Sequence, residues 1–159
     1  MIYAILILLL ILFCALKARA SRKRIEKLIW HADHIIDRDE RDRYYVHGPL
    51  SKVSDGKRWR IRCKMYQRLA ELHDHFAENQ WADILWYHEK QYEDAITYYL
   101  RAANAGIAEA MYSLASAYYD GEHVTKNLRE ADHWATKGIA AGDSSCENIH
   151  WLCVHHMKK

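Results

Sequence analysis

The chain has 159 residues, a net charge of +2 with histidine counted as neutral, and 50% hydrophobic residues. This length allows one compact domain with an appendage, and the small net charge gives no reason to expect a polyanionic partner. A single proline and six glycines favour helices over a turn-rich β fold. The four cysteines have no CxxC spacing, which favours free thiols in a reducing compartment over a disulfide scaffold.

The first segment, MIYAILILLLILFCAL, is uncharged. As a helix it spans about 24 Å, short of the hydrocarbon core of about 30 Å, but Lys17 and Arg19 can reach the interface from within it. A signal peptide would begin with basic residues, and none precedes this apolar run. We therefore predict a transmembrane anchor over residues 1–20.

Basic residues dominate residues 17–27, which follow the uncharged run and overlap the end of the predicted anchor. The positive-inside rule then places the C-terminal side in the cytoplasm, with a periplasmic location as the alternative. The short anchor favours a single-pass protein of a bacterial inner membrane.

Residues 21–56 are predicted to be a juxtamembrane segment with one amphipathic helix and one loop. Apolar residues recur every three or four positions over residues 25–36, which is typical of an amphipathic helix. Gly, Pro, Ser and Asp cluster over residues 47–56 and indicate a loop.

A longer helix is predicted over residues 58–79, with Ser54 or Asp55 near its N-cap. Its apolar residues are spaced by four, four, three and four positions: Ile61, Met65, Leu69, Leu72 and Phe76. The basic residues around Trp59 are interpreted as a solvated helix face rather than as a nucleic-acid site.

An internal repeat with a period of 36 residues follows. The aligned pairs are Ala95 with Ala131, Tyr98 with Trp134, Arg101 with Lys137, Ala105 with Ala141, and Gly106 with Gly142. Periods of 20–50 residues are typical of stacked supersecondary units.

The best-defined unit predicts two helices joined by a turn. The first helix covers residues 108–119 and ends at Gly121, because glycine takes the left-handed conformation at little cost. Val124 is expected to plug the turn, and Asn127 to cap the second helix in a capping box with Glu130. Ala131 is small where the two helices cross.

This arrangement resembles the Sel-one-like repeat, a relative of the tetratricopeptide repeat. The motif positions of that family are filled by Ala108, Ala110, Leu114, Ala115, Tyr118, Gly121, Val124, Asn127, Ala131, Trp134, Lys137 and Gly142. Gly138 and Ile139 replace the usual alanine pair, which is expected to loosen or shift the packing of the second helix. The predicted fold class is all-α: an N-terminal transmembrane helix followed by an α-helical tetratricopeptide or Sel-one-like repeat solenoid.

The repeat domain is predicted over residues 57–159. It holds a strong repeat at 108–143, a hybrid repeat with a shorter turn at about 76–107, and a closing helix at 144–157. Fewer than three repeats are marginal alone, so the flanking helices are expected to act as caps.

The polar residues give no pattern typical of an enzyme. The histidine pairs lack the spacing of HExxH or of Cys/His metal sites, and no catalytic triad, phosphate loop or paired carboxylates stand out. We therefore predict a protein that is not an enzyme and needs no metal or cofactor.

The resemblance implies a protein-binding adaptor or scaffold that uses its concave surface. Tyrosine enrichment suits such an interface, and Tyr87, Tyr112, Ser116 and Tyr119 are the candidate partner-facing residues. Two alternatives remain open: an immunity protein that neutralises a secreted toxin, and a small accessory subunit of a membrane protein complex. No nucleic-acid partner is expected.

Overall fold

The computed structural model describes residues 2–33, 47–48 and 50–157, and of residues 2–10 and 32 it describes the backbone alone. These ranges contain seven α-helices and no strand, so the predicted all-α class is correct for the described part of the chain. The helices are α1 (Ile2–Asp33), α2 (Asp55–Glu71), α3 (His75–Ile84), α4 (Tyr92–Asn104), α5 (Ala108–Asp120), α6 (Leu128–Ala140) and α7 (Ser145–Met157), and a π turn (Leu85–Glu89) continues α3. Residues 1–65 and 66–159 form two compact units.

The first unit corrects the prediction for the N-terminus. Its α1 is one continuous helix of 32 residues that contains both the predicted anchor and the start of the predicted amphipathic helix. Among the residues that the structure describes, no helix has the length and apolar character needed to span a membrane. The predicted transmembrane anchor over residues 1–20 and the single-pass inner-membrane localisation are therefore wrong. Lys17 and Arg19 end the apolar run after about 24 Å of helix, short of the roughly 30 Å of a bilayer core.

The second half of α1 is amphipathic, with Ile25 and Ile29 buried on one side. The predicted amphipathic helix extends to residue 36, and its last three residues lie outside the described ranges. The end of α1 is joined to α2 by an ion pair in which Arg62 Nη2 lies 2.7 Å from Asp33 Oδ1.

The predicted helix over residues 58–79 is interrupted, which corrects another prediction. The chain leaves α2 after Glu71, and His73 adopts a left-handed φ of 59°. Asp74 then caps α3, because its Oδ1 accepts a hydrogen bond from the Ala77 N–H at 2.9 Å. Leu72, which the spacing predicted on the buried face, is 77% exposed at this break.

In the second unit, each helix from α3 to α7 packs against the next one along the chain, and α5 also contacts α7. Eight of the sixteen buried residues of the core are alanine. Since alanine adds only a methyl group, these helices can approach more closely than helices that carry large side chains.

The positions predicted to define the repeat fall at the core or at helix ends. Ala95, Leu114, Ala131 and Trp134 are buried, whereas Tyr98 and Tyr118 are half-buried against the core. The three glycines of the pattern all have positive φ: 98° at Gly106, 71° at Gly121 and 95° at Gly142.

The turn between α5 and α6 is held from both ends. Gly121 ends α5 and donates its N–H to Ala117 O, and a Cβ at Gly121 would meet the backbone and Cβ of Lys126. Asn127 caps α6 by accepting from the N–H groups of Arg129 and Glu130 at 3.1 and 3.2 Å.

One hydrogen bond of the predicted capping box, from the Asn127 N–H to the Glu130 side chain, is replaced by another. The Asn127 N–H donates to the backbone oxygen of Tyr118 at 2.9 Å, and this bond ties the turn back to α5. Val124 is half-buried in this turn.

Gly138 lies at a close contact between α6 and α7, and this finding replaces the expectation of loosened packing. It is buried, and a Cβ at this position would overlap Cys146 Sγ. Cys146 is fully buried, and this burial raises its pKa to about 11. The sulfur atom thus occupies the space that an alanine methyl group would need.

We expect Gly138→Ala to lower the free energy of unfolding by about 1–2 kcal/mol, because overpacking outweighs the higher helix propensity of alanine. In a Cys146→Ala background, the same substitution should cost at least about 1 kcal/mol less. Urea unfolding of the four proteins of this double-mutant cycle measures the coupling.

Gly56→Ala is the matched control, since Gly56 is helical and a Cβ there meets nothing within 4 Å. It should leave stability unchanged or raise it by up to about 1 kcal/mol. Additive effects of Gly138→Ala and Cys146→Ala would contradict the steric account.

Candidate functional site

The second unit contains a cavity of about 360 Å³ that we call the aromatic groove. It is lined by Trp86, Tyr87, Lys90, Tyr92, Tyr99, Tyr112, Ser113, Ser116, Ala117, Asp120, Glu122 and His123. These residues come from the π turn, from α4 and α5, and from the links that follow the π turn and α5.

The π turn supplies one side of the aromatic groove. In this turn the Lys90 and Gln91 N–H groups both donate to Leu85 O, and Lys90 ends the turn in a left-handed conformation with φ of 59°. Trp86 and Tyr87 belong to this turn. Because a π turn takes more residues per turn than an α-helix, it changes the direction of the side chains along it, and such turns recur at functional sites.

A hydrogen bond lies beneath the aromatic groove, where the Tyr99 hydroxyl donates to Asp83 Oδ1 at 2.7 Å. Burial raises the pKa of Asp83 and the nearby Glu109 charge raises it further, while the bond from Tyr99 acts in the opposite direction. Burial, the charge of Asp83 and this bond also raise the pKa of Tyr99 well above its ordinary value. The tyrosine therefore stays protonated and remains a donor to the carboxylate.

The link between α5 and α6 closes one wall of the aromatic groove. Its His123 ring stacks on Tyr92 with centroids 3.7 Å apart and planes 6° apart. Trp86 meets both rings edge-on, at 5.1 Å from Tyr92 and 5.7 Å from His123. Aromatic pairs in such arrangements contribute beyond the area that they bury, so these contacts stabilise this wall.

Two links of different length meet at this wall. The π turn and α4 are joined by only two residues, Lys90 and Gln91, whereas residues 121–127 join α5 to α6. The longer link places His123 over Tyr92, at the start of α4.

The structure brings three of the four predicted partner-facing residues together. Tyr87, Tyr112 and Ser116 all line the aromatic groove, and the two tyrosines are 61% and 38% exposed. Partial burial raises the pKa of Tyr87, and the charges of Asp83 and Asp120 add to this effect.

Tyr119, the fourth predicted residue, lies elsewhere. Its ring stacks on His156 at 5.7 Å, and its hydroxyl lies 3.3 Å from His156 Nδ1. Lys126 Nζ lies 4.8 Å from the centre of the same ring. Tyr119 therefore joins α5, the following link and α7, and it does not line the aromatic groove.

Several lining residues were not predicted as site residues. None of Trp86, Lys90, Tyr92 and His123 was among the predicted partner-facing residues. Their place depends on the π turn and on a contact between residues 31 positions apart, Tyr92 and His123, which helical periodicity does not reveal. A compositional signal was available, because aromatic residues and histidine concentrate near both links.

The chemistry of the aromatic groove is that of a binding surface with acidic and hydroxyl groups. The Ser116 hydroxyl donates to Asp120 Oδ2 at 3.2 Å, and Glu122 lies on the same rim. Among the described residues, no group of three His, Cys, Asp or Glu side chains has the arrangement of a metal site.

No protein-family model matches this chain, and no curated protein is significantly similar to it. The resemblance to the Sel-one-like repeat therefore stays a prediction.

Tyr99→Phe should lower the free energy of unfolding by about 1–3 kcal/mol at pH 7, because it leaves the half-buried Asp83 carboxylate without its donor. Denaturant unfolding followed by far-UV circular dichroism measures this. Tyr98→Phe is the control, since Tyr98 is only half-buried. Equal, small losses in both variants would contradict a structural role for the Tyr99–Asp83 bond.

Asp83→Asn should raise stability at pH 7 relative to the wild type, with a gain that shrinks as the pH falls. Because burial raises the pKa of Asp83, the folded protein binds this proton more tightly than the unfolded chain does. The associated stability is fully present below the ordinary pKa of 3.8 and is lost as the pH rises through the higher folded value.

Chemical unfolding of both proteins at several values between pH 3 and pH 7 tests this dependence, with Asp94→Asn as an exposed control on α4. A gain that is the same at both ends of the range would contradict the assignment.

Proposed function

We propose that this chain is a helical-repeat adaptor that binds another protein through its aromatic groove. The observation that carries this proposal is the exposure of Tyr87 and Tyr112 on the rim of a cavity of about 360 Å³. Tyrosine supplies a large contact area and a polar tip, which makes it common at the centre of protein interfaces.

The placement of these residues supports the proposal. Tyr112 and Ser116 lie on α5, the first helix of the strong repeat, and first helices line the concave face in superhelical repeats. The resemblance to the Sel-one-like repeat implies the same use of this face.

The rigidity of the walls also favours binding. The Tyr92, His123 and Trp86 rings hold one another, and Tyr99 is fixed by Asp83. A surface that is already ordered loses less conformational freedom when a partner binds. The exposed tyrosines therefore stand beside a preorganised cavity.

A photo-crosslinking amino acid introduced at position 87 or 112 tests the proposal in cells that express the protein. We expect both positions to crosslink to the same partner, and an excess of unlabelled wild-type protein to compete with both. The same amino acid at position 151 is the control, because Trp151 is 56% exposed on α7 and does not line the aromatic groove.

Binding to the purified partner provides the quantitative test. Tyr87→Ala with Tyr112→Ala should weaken binding by about tenfold to 100-fold, as expected for two residues at the centre of an interface. Trp151→Ala should leave affinity within about twofold. Equal effects at the three positions, or crosslinks only within the chain, would overturn the proposal.

The nature of the partner separates an adaptor from the two alternative functions. A secreted toxin as the partner would favour an immunity protein, and a component of one stable complex would favour an accessory subunit. Partners from several complexes would favour an adaptor.

A further inference from the structure

The rim of the aromatic groove carries more negative than positive charge. Asp120 and Glu122 line it, and Lys90 is the one Lys or Arg side chain among the lining residues that the structure describes. Asp83 and Glu109 add negative charge nearby, since the charge of Glu109 raises the pKa of Asp83 and the charges of Asp83 and Asp120 raise that of Tyr87. A cation is therefore favoured at this rim.

The two rim carboxylates are not neutralised within the described part of the chain. Asp120 accepts a hydrogen bond from the neutral Ser116 hydroxyl, and neither Asp120 nor Glu122 forms an ion pair with a described Lys, Arg or His side chain. By contrast, Asp33 and the buried Glu78 are paired with basic side chains.

Cations already lie over aromatic rings elsewhere in the second unit. Arg101 lies 5.3 Å from the centre of Tyr98, Lys137 lies 4.6 Å from Trp134, and Lys126 covers Tyr119. Such pairs gain from the negative face of the ring, with tryptophan and tyrosine as good partners.

Tyr87 and Tyr112 are the exposed tyrosines of the aromatic groove, and no cation from the described residues lies over either ring. They are exposed beside carboxylates that lack a charged partner. The rim thus offers ring faces and negative charge within one cavity, and no Lys or Arg side chain of the described residues lies over these rings or pairs with these carboxylates.

We propose that the aromatic groove receives an arginine side chain of the partner polypeptide, an inference that rests on the proposed protein-binding function. The planar guanidinium group stacks on the tyrosine rings and donates hydrogen bonds to the Asp120 and Glu122 carboxylates. Arginine suits this site better than lysine, because its group is flat, weakly hydrated and able to donate in several directions. The volume of about 360 Å³ is near the lower end for ligand sites, which fits one long side chain.

N-acetyl-arginine amide is a suitable probe, and N-acetyl-citrulline amide is its neutral counterpart of nearly the same shape. Titration of the isotope-labelled full chain, followed by NMR, should move the signals of Tyr87, Tyr112 and Ser116. We expect arginine to bind at least about threefold more tightly than citrulline, and the difference to shrink with added salt.

Three variants test the role of charge. Asp120→Asn with Glu122→Gln should weaken arginine binding by about threefold to tenfold and leave citrulline binding unchanged. The control pair Glu130→Gln with Glu147→Gln removes two exposed carboxylates outside the groove and should change neither. Lys90→Gln should strengthen arginine binding by about twofold to threefold, which a misfolded variant would not do.

Two results would overturn this inference. One is equal binding of the arginine and citrulline probes, and the other is the absence of signal changes at the groove with about 50 mM arginine probe, a concentration that would reveal even millimolar binding.

The two proposals fail separately. If positions 87 and 112 crosslink to a partner but arginine is not preferred, the groove binds protein by other chemistry. If arginine is preferred but no partner is captured, the cation site stands without the proposed function.

Discussion

Close packing of small residues is the constraint on which the second unit depends. Half of its buried core is alanine, and Gly138 allows α7 to bring Cys146 against α6. Helices this close leave little room for large rings between them. Most of the aromatic side chains near the predicted repeat are therefore only half-buried. Tyr99 and Trp134 are the two that are buried in the core. The aromatic groove is the outer face of a core built from small side chains.

The same packing explains which features could be predicted from the sequence. Helices α4 to α7 depend on local signals, namely alanines with helical spacing, glycines at helix ends and the Asn127 cap, and all of these are visible in a single chain. The break after α2 was missed because the apolar spacing continued through Leu72, while Asp74 offered a competing cap. The repeat pattern predicted Tyr98 as the structural position, whereas in the structure its neighbour Tyr99 is the buried tyrosine.

Three residues of the aromatic groove could be predicted from the sequence, whereas the others depend on contacts between distant positions. Tyr87, Tyr112 and Ser116 followed from the concave face that the resemblance implies. Tyr119 directly follows the motif position Tyr118, but its ring contacts His156 near the end of α7, and a contact over 37 positions has no local signature. The N-terminal prediction failed differently: it let Lys17 and Arg19 make up for an apolar run shorter than a bilayer core, whereas no described helix is long and apolar enough to span a membrane. The charged residues from Lys17 onward limit that length.

The two predicted repeats have links of unequal length between their helices, and this difference decides where the aromatic groove forms. The link of two residues, Lys90 and Gln91, leaves the start of α4 accessible. The link of seven residues between α5 and α6 occupies that space and places His123 on Tyr92. In this chain the short link comes first and the long link second, and the wall closes between the start of α4 and the long link. The groove belongs to the junction between two unlike modules rather than to either module.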